Sequence, residues 1–545
     1  MRHTWMTPLL SALLLPATVL AANTSLSPPV EDQIKALVGV GSATVPGASG
    51  KRPCYGPDAL ERFYAARRYA PAWGDAATAR QAQQLLAQAS AHGLDGGDYQ
   101  VEAPAASGEQ RAADDARLSA AVLRYIADLH CGRVSSEYSA PFLADKKAAF
   151  DPAQRLGAAL AERRIAGLDT ASQPNFPLYG RIMSALARYR ALEAQAEVTP
   201  AIPAKAGSIR PGEPYADAEL LRRRLVQLGD LAEGAAPAAP PVYDKQLAEA
   251  VRLFQTRHGL ESDGVLGRGT LQALAVPVRQ RARQLELSLE RLRWAPQFPQ
   301  GRVLAVNIPA YRLYAFDTSQ AEQAALITMR VIVGKAAKTP TPLFVDHMRH
   351  VELNPYWNVP RSIERDEILP KLARDPGYLA KHEMELVPRS GNVPIAGVDA
   401  AAIEGLRAGA YRVRQRPGTA NALGAVKFVM PNPMSIYLHS TPTRALFARS
   451  RRDFSHGCIR VEQPLELAEF VLADKERWNL KNIDAAIGTG KNQWVKLPAT
   501  VPVVVFYATA MVDRDGRIMF HEDIYKLDPA LEKAIDKLKR NGNAS

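Results

Sequence analysis

From about residue 300 onward, the apolar residues of this 545-residue chain change their spacing, from every third or fourth position to every second. A helix returns to one face every 3.6 residues and a strand every two, so this change divides the chain into a helical part and a β part. Upstream, Leu118, Ala121, Val122, Tyr125 and Leu129 mark one helix face. Downstream, "RVLAVNIPAYRLYAF" and "ALITMRVIVGK" alternate, with Ile327, Met329, Val331 and Val333 on one side. "VPVVVFYATAMVDRDGRIMF" reads as a hairpin turning at Asp515-Gly516. At roughly 100–200 residues per domain the length suits two to four domains. Apolar residues make up 47% and charged residues 23%, an ordinary globular balance. The expected fold class is multidomain α+β: an α-helical scaffold followed by a mainly β catalytic domain.

The ends and joints of these parts are also legible. Arg2 and His3 precede an apolar run from Pro8 to Leu20 and the small residues Ala21 and Ala22. This is the layout of a signal peptide over 1–22, too short to span a bilayer, so export is expected. Residues 23–56 read as linker, 57–198 as the helical scaffold, and Pro200 to Pro214 as a second linker. In 215–276, Leu221, Leu225 and Leu228 face one way ahead of Gly229, a helix-end glycine. Leu247, Val251 and Phe254 mark a second helix, which stops at Gly259, and Thr270 to Leu274 a short third. The string "AVRLFQTRHGLESDGVLGRGTLQAL" resembles the three-helix peptidoglycan-binding module of wall enzymes. A β domain over 300–530 follows, with a polar, partly helical insertion at 361–412 expected to act as a cap.

Charge and cysteines narrow the function classes. Net charge is +12 and pI about 9.5. In a cytosolic chain this would suggest nucleic acid. An exported chain meets an anionic envelope instead, so no nucleic-acid partner and at most peripheral membrane contact are expected. The three cysteines are Cys54, Cys131 and Cys458. In an oxidising compartment two pair and one is left over. The expected pair is Cys54 with Cys131, leaving Cys458 free.

The segment "IYLHSTPTRALFARSRRDFSHGCIRV" places a thiol at Cys458 and imidazoles at His439 and His456. A cysteine attacks as thiolate, and a neighbouring imidazole lowers its pKa and takes its proton. Gly457 beside the thiol lets backbone N–H groups face a developing oxyanion. A zinc site built from these residues lacks the paired ligand spacing such sites use. His258, His347 and His350 read as surface residues. Of Arg444, Arg449, Arg451, Arg452 and Arg460, most are expected to be solvated, with Arg460 the first candidate for binding a substrate carboxylate. Ser455, Tyr356, Trp357 and Tyr437 complete the candidate substrate-binding set.

The pattern His-x15-Ser-His-Gly-Cys at 439–458, followed by Ile-Arg, resembles the signature of L,D-transpeptidases of the YkuD type. "VGKAAKTPTPLF" at 333–344 and "NPYWNVP" at 354–360 are similar to the family as well. The resemblance extends to the large periplasmic members, which add a helical scaffold, a peptidoglycan-binding module and a capping insertion. One departure is Ser440, where many members carry glycine.

The resemblance implies that Cys458 attacks the carbonyl at the L-centre of diaminopimelate in a tetrapeptide stem, expels D-alanine and forms a thioester. It implies that His439 is the base, that the Ser440 carbonyl orients it, and that His456, Gly457 and Cys458 supply oxyanion donors. A diaminopimelate amine of another stem would then resolve the thioester into a 3→3 cross-link, with no cofactor. The implied partners are peptidoglycan stems and glycan, with carbapenem β-lactams as covalent inhibitors. Two readings stay open beside transfer: hydrolysis of the same thioester as a carboxypeptidase or endopeptidase, and a non-catalytic wall-binding scaffold.

Overall fold

The computed structural model describes Met1, residues 28–39, Val45, and residues 52–104, 110–134, 140–197, 207–234, 240–298, 300–320 and 325–543. The signal-peptide reading lies outside these residues apart from Met1. Among them, no helix is long and apolar enough to cross a membrane.

The N-terminal part is helical because its apolar residues repeat at helical spacing around one central rod. Helix Arg111–Cys131 is that rod: it buries Leu118, Val122, Tyr125, Ile126 and Leu129, with smaller helices such as Ala59–Ala66 and Pro152–Ala161 against it. Cys131, its last residue, is joined by a disulfide to Cys54, with the Cα atoms 5.9 Å apart. The stretch expected as linker over 23–56 contains a ten-residue helix, Val30–Gly39. Ile34 and Val38 are its buried residues, one turn apart. Val30 and Leu37 pack partly buried beside them, so one apolar face docks the short helix.

Three helices, Ala218–Leu228, Lys245–Arg257 and Arg268–Leu274, form the next unit. Gly229 caps the first in the left-handed region, at φ 82°. Helix Val278–Leu292 then packs along Pro177–Glu193 and ties this unit to the scaffold. His258, expected at the surface, is buried instead, its ring 3.8 Å from that of Phe254 and stacked also on Phe520. The packing partner comes from more than 250 residues downstream, which local sequence cannot signal.

Among the described residues the β part holds fourteen strands. These are β1 (Arg302–Asn307), β2 (Arg312–Asp317), β3 (Ala325–Gly334), β4 (Phe344–Leu353), β5 (Trp357–Asn358), β6 (Met384–Pro388) and β7 (Tyr411–Gln415). They continue as β8 (Val426–Val429), β9 (Leu438–His439), β10 (Asp453–Ser455), β11 (Ile459–Val461), β12 (Gln493–Phe506), β13 (Ala510–Val512) and β14 (Ile518–Phe520). Nine make one sheet in the order β10-β3-β11-β9-β8-β4-β12-β1-β2, and β2 also pairs with β3, which closes the sheet on itself. Closure removes the exposed edges that a long open sheet would present. Helix Pro464–Leu472 contributes Leu467, Ala468, Val471 and Leu472 to the common core. The Asp515-Gly516 turn joins β13 to β14, and that hairpin adds Ala510, Val512, Ile518 and Phe520 to the core of the three-helix unit.

The insertion carries more structure than its polar sequence suggests. Short helical turns lead into a three-stranded sheet, β5-β7-β6, around its own apolar cluster of Val359, Ile363, Ile368, Leu372, Leu379, Leu386, Ala402, Leu406 and Val413. The buried Glu364 accepts the Val413 N–H at 2.7 Å, fixing the first turns to β7.

Candidate active site

The nucleophile turn is held by side chains from the "VGKAAKTPTPLF" string. Thr341 Oγ1 donates to the Gly457 carbonyl at 2.7 Å and accepts the Gly334 N–H at 2.9 Å. Thr339 Oγ1 donates to the Ser455 carbonyl at 3.1 Å. The buried Ser455 spans the turn: its Oγ donates to the Cys458 carbonyl at 2.6 Å and accepts the Gly457 N–H at 3.2 Å. Gly457 has φ 115°, and a Cβ there would lie 3.3 Å from Ile436 Cδ1. Glycine is therefore required by backbone conformation as well as by access.

The Gly457 N–H is already bonded to Ser455, whereas the His456 and Cys458 N–H groups donate to nothing among the described residues. Of the three amide donors named from the sequence, these two remain free for an oxyanion.

His439 ends β9, between β8 and β11, and is buried. Its Nδ1 lies 2.6 Å from the Ser440 carbonyl, a contact that requires the proton on Nδ1 and leaves the lone pair on Nε2. Ser440 Oγ donates to the Leu423 carbonyl and accepts the Val426 N–H, both at 2.9 Å, so the serine that replaces the usual glycine stitches this strand end to the neighbouring loop and strand. Burial above all, then the positive charge of Arg460, pushes His439 down to about 3. The ring is neutral at neutral pH.

Cys458 is half-buried and is the free thiol among the described residues. Its Sγ lies 3.7 Å from the Ser435 carbonyl and within hydrogen-bond reach of Tyr437. Burial pushes the thiol up, against the opposing pull of Tyr437, Lys427 and Arg460. The expected lowering of the thiol pKa by the imidazole is not seen in the resting site, where desolvation outweighs the neighbouring charges and both the thiol and the imidazole are neutral. Such a pair transfers its proton as the sulfur attacks.

The cross-strand register sets a row of ionisable groups across four strands. Glu352 of β4 lies opposite Lys427 of β8, Lys427 opposite His439 of β9, and His439 opposite Arg460 of β11. Lys427 Nζ is 3.5 Å from Glu352 Oε2 and 4.7 Å from the centre of the Tyr437 ring. Arg460 Nη1 donates to Thr443 Oγ1 at 3.2 Å. Lys427 and Glu352 escaped the sequence reading. Lys427 alternates with Val426 and Phe428 and so is marked as facing away from the core, but only sheet pairing reveals His439 as its neighbour.

The other candidates divide. Tyr437 packs edge-on to His439, with ring centres 5.7 Å apart, and lies at the sulfur, while the Trp357 indole reaches the Tyr437 hydroxyl. Tyr356 lies instead under Arg414 of β7, whose guanidinium is 4.4 Å from the ring centre. The His456 side chain turns to the insertion, with Nε2 2.5 Å from Glu367 Oε1. Of the arginine run, Arg452 is buried over Tyr311 rather than solvated, and Arg451 pairs with Asp453 at 2.7 Å.

Residues 301–505 match the family described as "L,D-transpeptidase catalytic domain" (YkuD), residues 58–186 a "Scaffold domain", and residues 215–274 a "Putative peptidoglycan binding domain". A protein of Haemophilus influenzae named "Putative L,D-transpeptidase" is 33% identical over 289 residues, which cover 52% of this chain and 57% of that one. The chain therefore matches little more than half the length of this relative. A crystal structure of the L,D-transpeptidase (residues 123–326) from Xylanimonas cellulosilytica covers 56% of this chain and all of its own at 14% identity. Its TM-score of 0.17 is too low to build on.

Proposed function

For a chain that carries a YkuD L,D-transpeptidase catalytic domain and a peptidoglycan-binding domain, we propose a cysteine acyltransferase of the cell wall or periplasm that forms 3→3 cross-links. Cys458 Sγ attacks the carbonyl at the L-centre of diaminopimelate in a tetrapeptide stem while His439 Nε2 takes the thiol proton. The carbonyl oxygen gains negative charge between the Cys458 and His456 N–H groups. The C–N bond to D-alanine then breaks, His439 returns the proton to the leaving amine, and a thioester remains. A diaminopimelate amine of a second stem, deprotonated by the same Nε2, attacks the thioester, and Cys458 leaves as thiol. The scaffold and the three-helix unit would hold the enzyme on its polymeric substrate, and the insertion would cover the bound stems.

The observation that carries this reading is the arrangement around one sulfur. A free thiol leads into β11, a lone-pair nitrogen fixed by the Ser440 carbonyl stands on the adjacent β9, and unused amide donors flank the sulfur. The test is to incubate the full chain with disaccharide-tetrapeptide and analyse protein and products by mass. Transfer predicts a covalent adduct on Cys458 and cross-linked dimers that have lost alanine. Tripeptide alone would mean that water resolves the thioester. A chain that forms no adduct, or a Cys458→Ala variant that still makes dimers, would overturn the proposal. Carbapenems are expected to acylate the same sulfur.

A further inference from the structure

The two cations that flank His439 have donors left over. Among the described residues Lys427 Nζ pairs loosely with Glu352, at 3.5 Å, and lies over the Tyr437 ring, which leaves donors of the ammonium to spare. Among the described residues Arg460 has no carboxylate within ion-pair distance, one hydrogen bond to Thr443, and a buried Nε without a partner. The Arg460 Nε is a buried cationic donor without an acceptor, an arrangement that favours an incoming anion. Glu352 is itself committed through Oε1 to Asn492 Nδ2 at 2.9 Å, while its Oε2 has no hydrogen bond. One buried carboxylate thus stands against two cations around a neutral imidazole, and the row is net positive before any substrate arrives.

Strands in a sheet lie about 5 Å apart. Lys427 and Arg460, one strand to each side of His439, therefore stand about 10 Å apart across the sheet with His439 between them, and Cys458 lies two residues ahead of Arg460 on the Arg460 side. Resting on the acyl-transfer reading above, the donor stem has matching chemistry. It carries one carboxylate on the leaving D-alanine and another at the far end of the diaminopimelate side chain, on opposite sides of the scissile carbonyl. We propose that Lys427 and Arg460 form a two-point clamp, each taking one of these carboxylates and so holding the carbonyl within reach of Cys458 and His439. Glu352 keeps Lys427 extended over Tyr437 and makes it a specificity-determining group of the donor site.

The test uses three donors: the tetrapeptide stem, the same stem with its terminal carboxylate amidated, and the stem with the side-chain carboxylate amidated. Acylation of Cys458 is followed by intact mass to give kcat/KM. A charge-assisted contact predicts that each amidation slows the wild type by about 10- to 100-fold. Lys427→Gln should abolish the penalty for one amide and keep the other, and Arg460→Gln should do the reverse. Because each variant is judged by ratios among its own donors, loss of folded protein cancels. Variants that slow all three donors by one common factor, or that erase the same penalty, overturn the clamp. A wild type acylated by the free stem yet indifferent to amidation overturns it too while leaving the acyl-transfer reading intact. A wild type acylated by no donor removes both.

Discussion

Removing one oxygen should separate what holds His439 from what the ring does. Ser440 is buried, and its Oγ closes two hydrogen bonds of 2.9 Å, to the Leu423 carbonyl and the Val426 N–H. Ser440→Ala leaves both backbone groups without a partner in a site closed to water. At roughly 1–3 kcal/mol for each orphaned group, the loss should be about 2–6 kcal/mol. The Ser440 carbonyl that fixes Nδ1 sits on the same residue, so kcat should fall together with stability.

A paired substitution sharpens the test. Gly424 has φ 61°, and a Cβ there would lie 2.3 Å from Ser440 Oγ and 2.9 Å from the Thr441 nitrogen. Gly424→Ala alone must push the serine aside. In the double variant the first of those clashes is relieved and the second remains, so the two losses should sum to more than the double variant shows, with a coupling of about 0.5–3 kcal/mol. Chemical denaturation followed by fluorescence gives the stabilities, and hydrogen exchange over residues 420–442 shows whether the Val426 amide has opened. A Ser440→Ala loss below about 0.5 kcal/mol with unchanged exchange, or strict additivity with Gly424→Ala, would refute the reasoning.

Three further outcomes follow from the same structure. His92, His439 and His521 are buried, with their pKa pushed down to about 3, 3 and 4, so the unfolded chain binds protons that the folded one refuses. Their penalty is absent above about pH 6.5 and grows below it by up to about 1.4 kcal/mol per pH unit for each ring, so denaturation midpoints should fall steadily from pH 6.5 to 4.5. A flat stability profile across that range would contradict neutral burial of these rings. Reduction of Cys54–Cys131, which lie 77 residues apart in sequence, should cost about 4 kcal/mol in the scaffold on the chain-entropy account, read as a lower melting temperature with dithiothreitol and no change for Cys54→Ser. Glu367→Gln should change stability by less than about 1 kcal/mol, since both partners of the His456 ion pair are exposed, and a larger loss by denaturation would show that this contact anchors the insertion.

The sequence alone settled what is local. Period-3.6 and period-2 spacing separated the helical and β parts, Gly229 marked a helix end, and three cysteines in an exported chain pointed to one left over. The string around His439 and Cys458 pointed to the proposed reacting pair because thiol, glycine and histidine lie within twenty residues. Polar composition hid the folded insertion, whose nine apolar anchors are scattered over more than fifty residues.

What tertiary structure decided is everything that depends on which strands are neighbours. Sheet order set Glu352, Lys427, His439 and Arg460 in one row, though they come from four separate segments. Burial then reversed the expected protonation: a protein interior withholds the solvation that a thiolate and an imidazolium both need, so Cys458 and His439 rest uncharged. Side-chain identity lists the groups able to react. Their charge state is a property of the surroundings, and only the closed sheet supplies those.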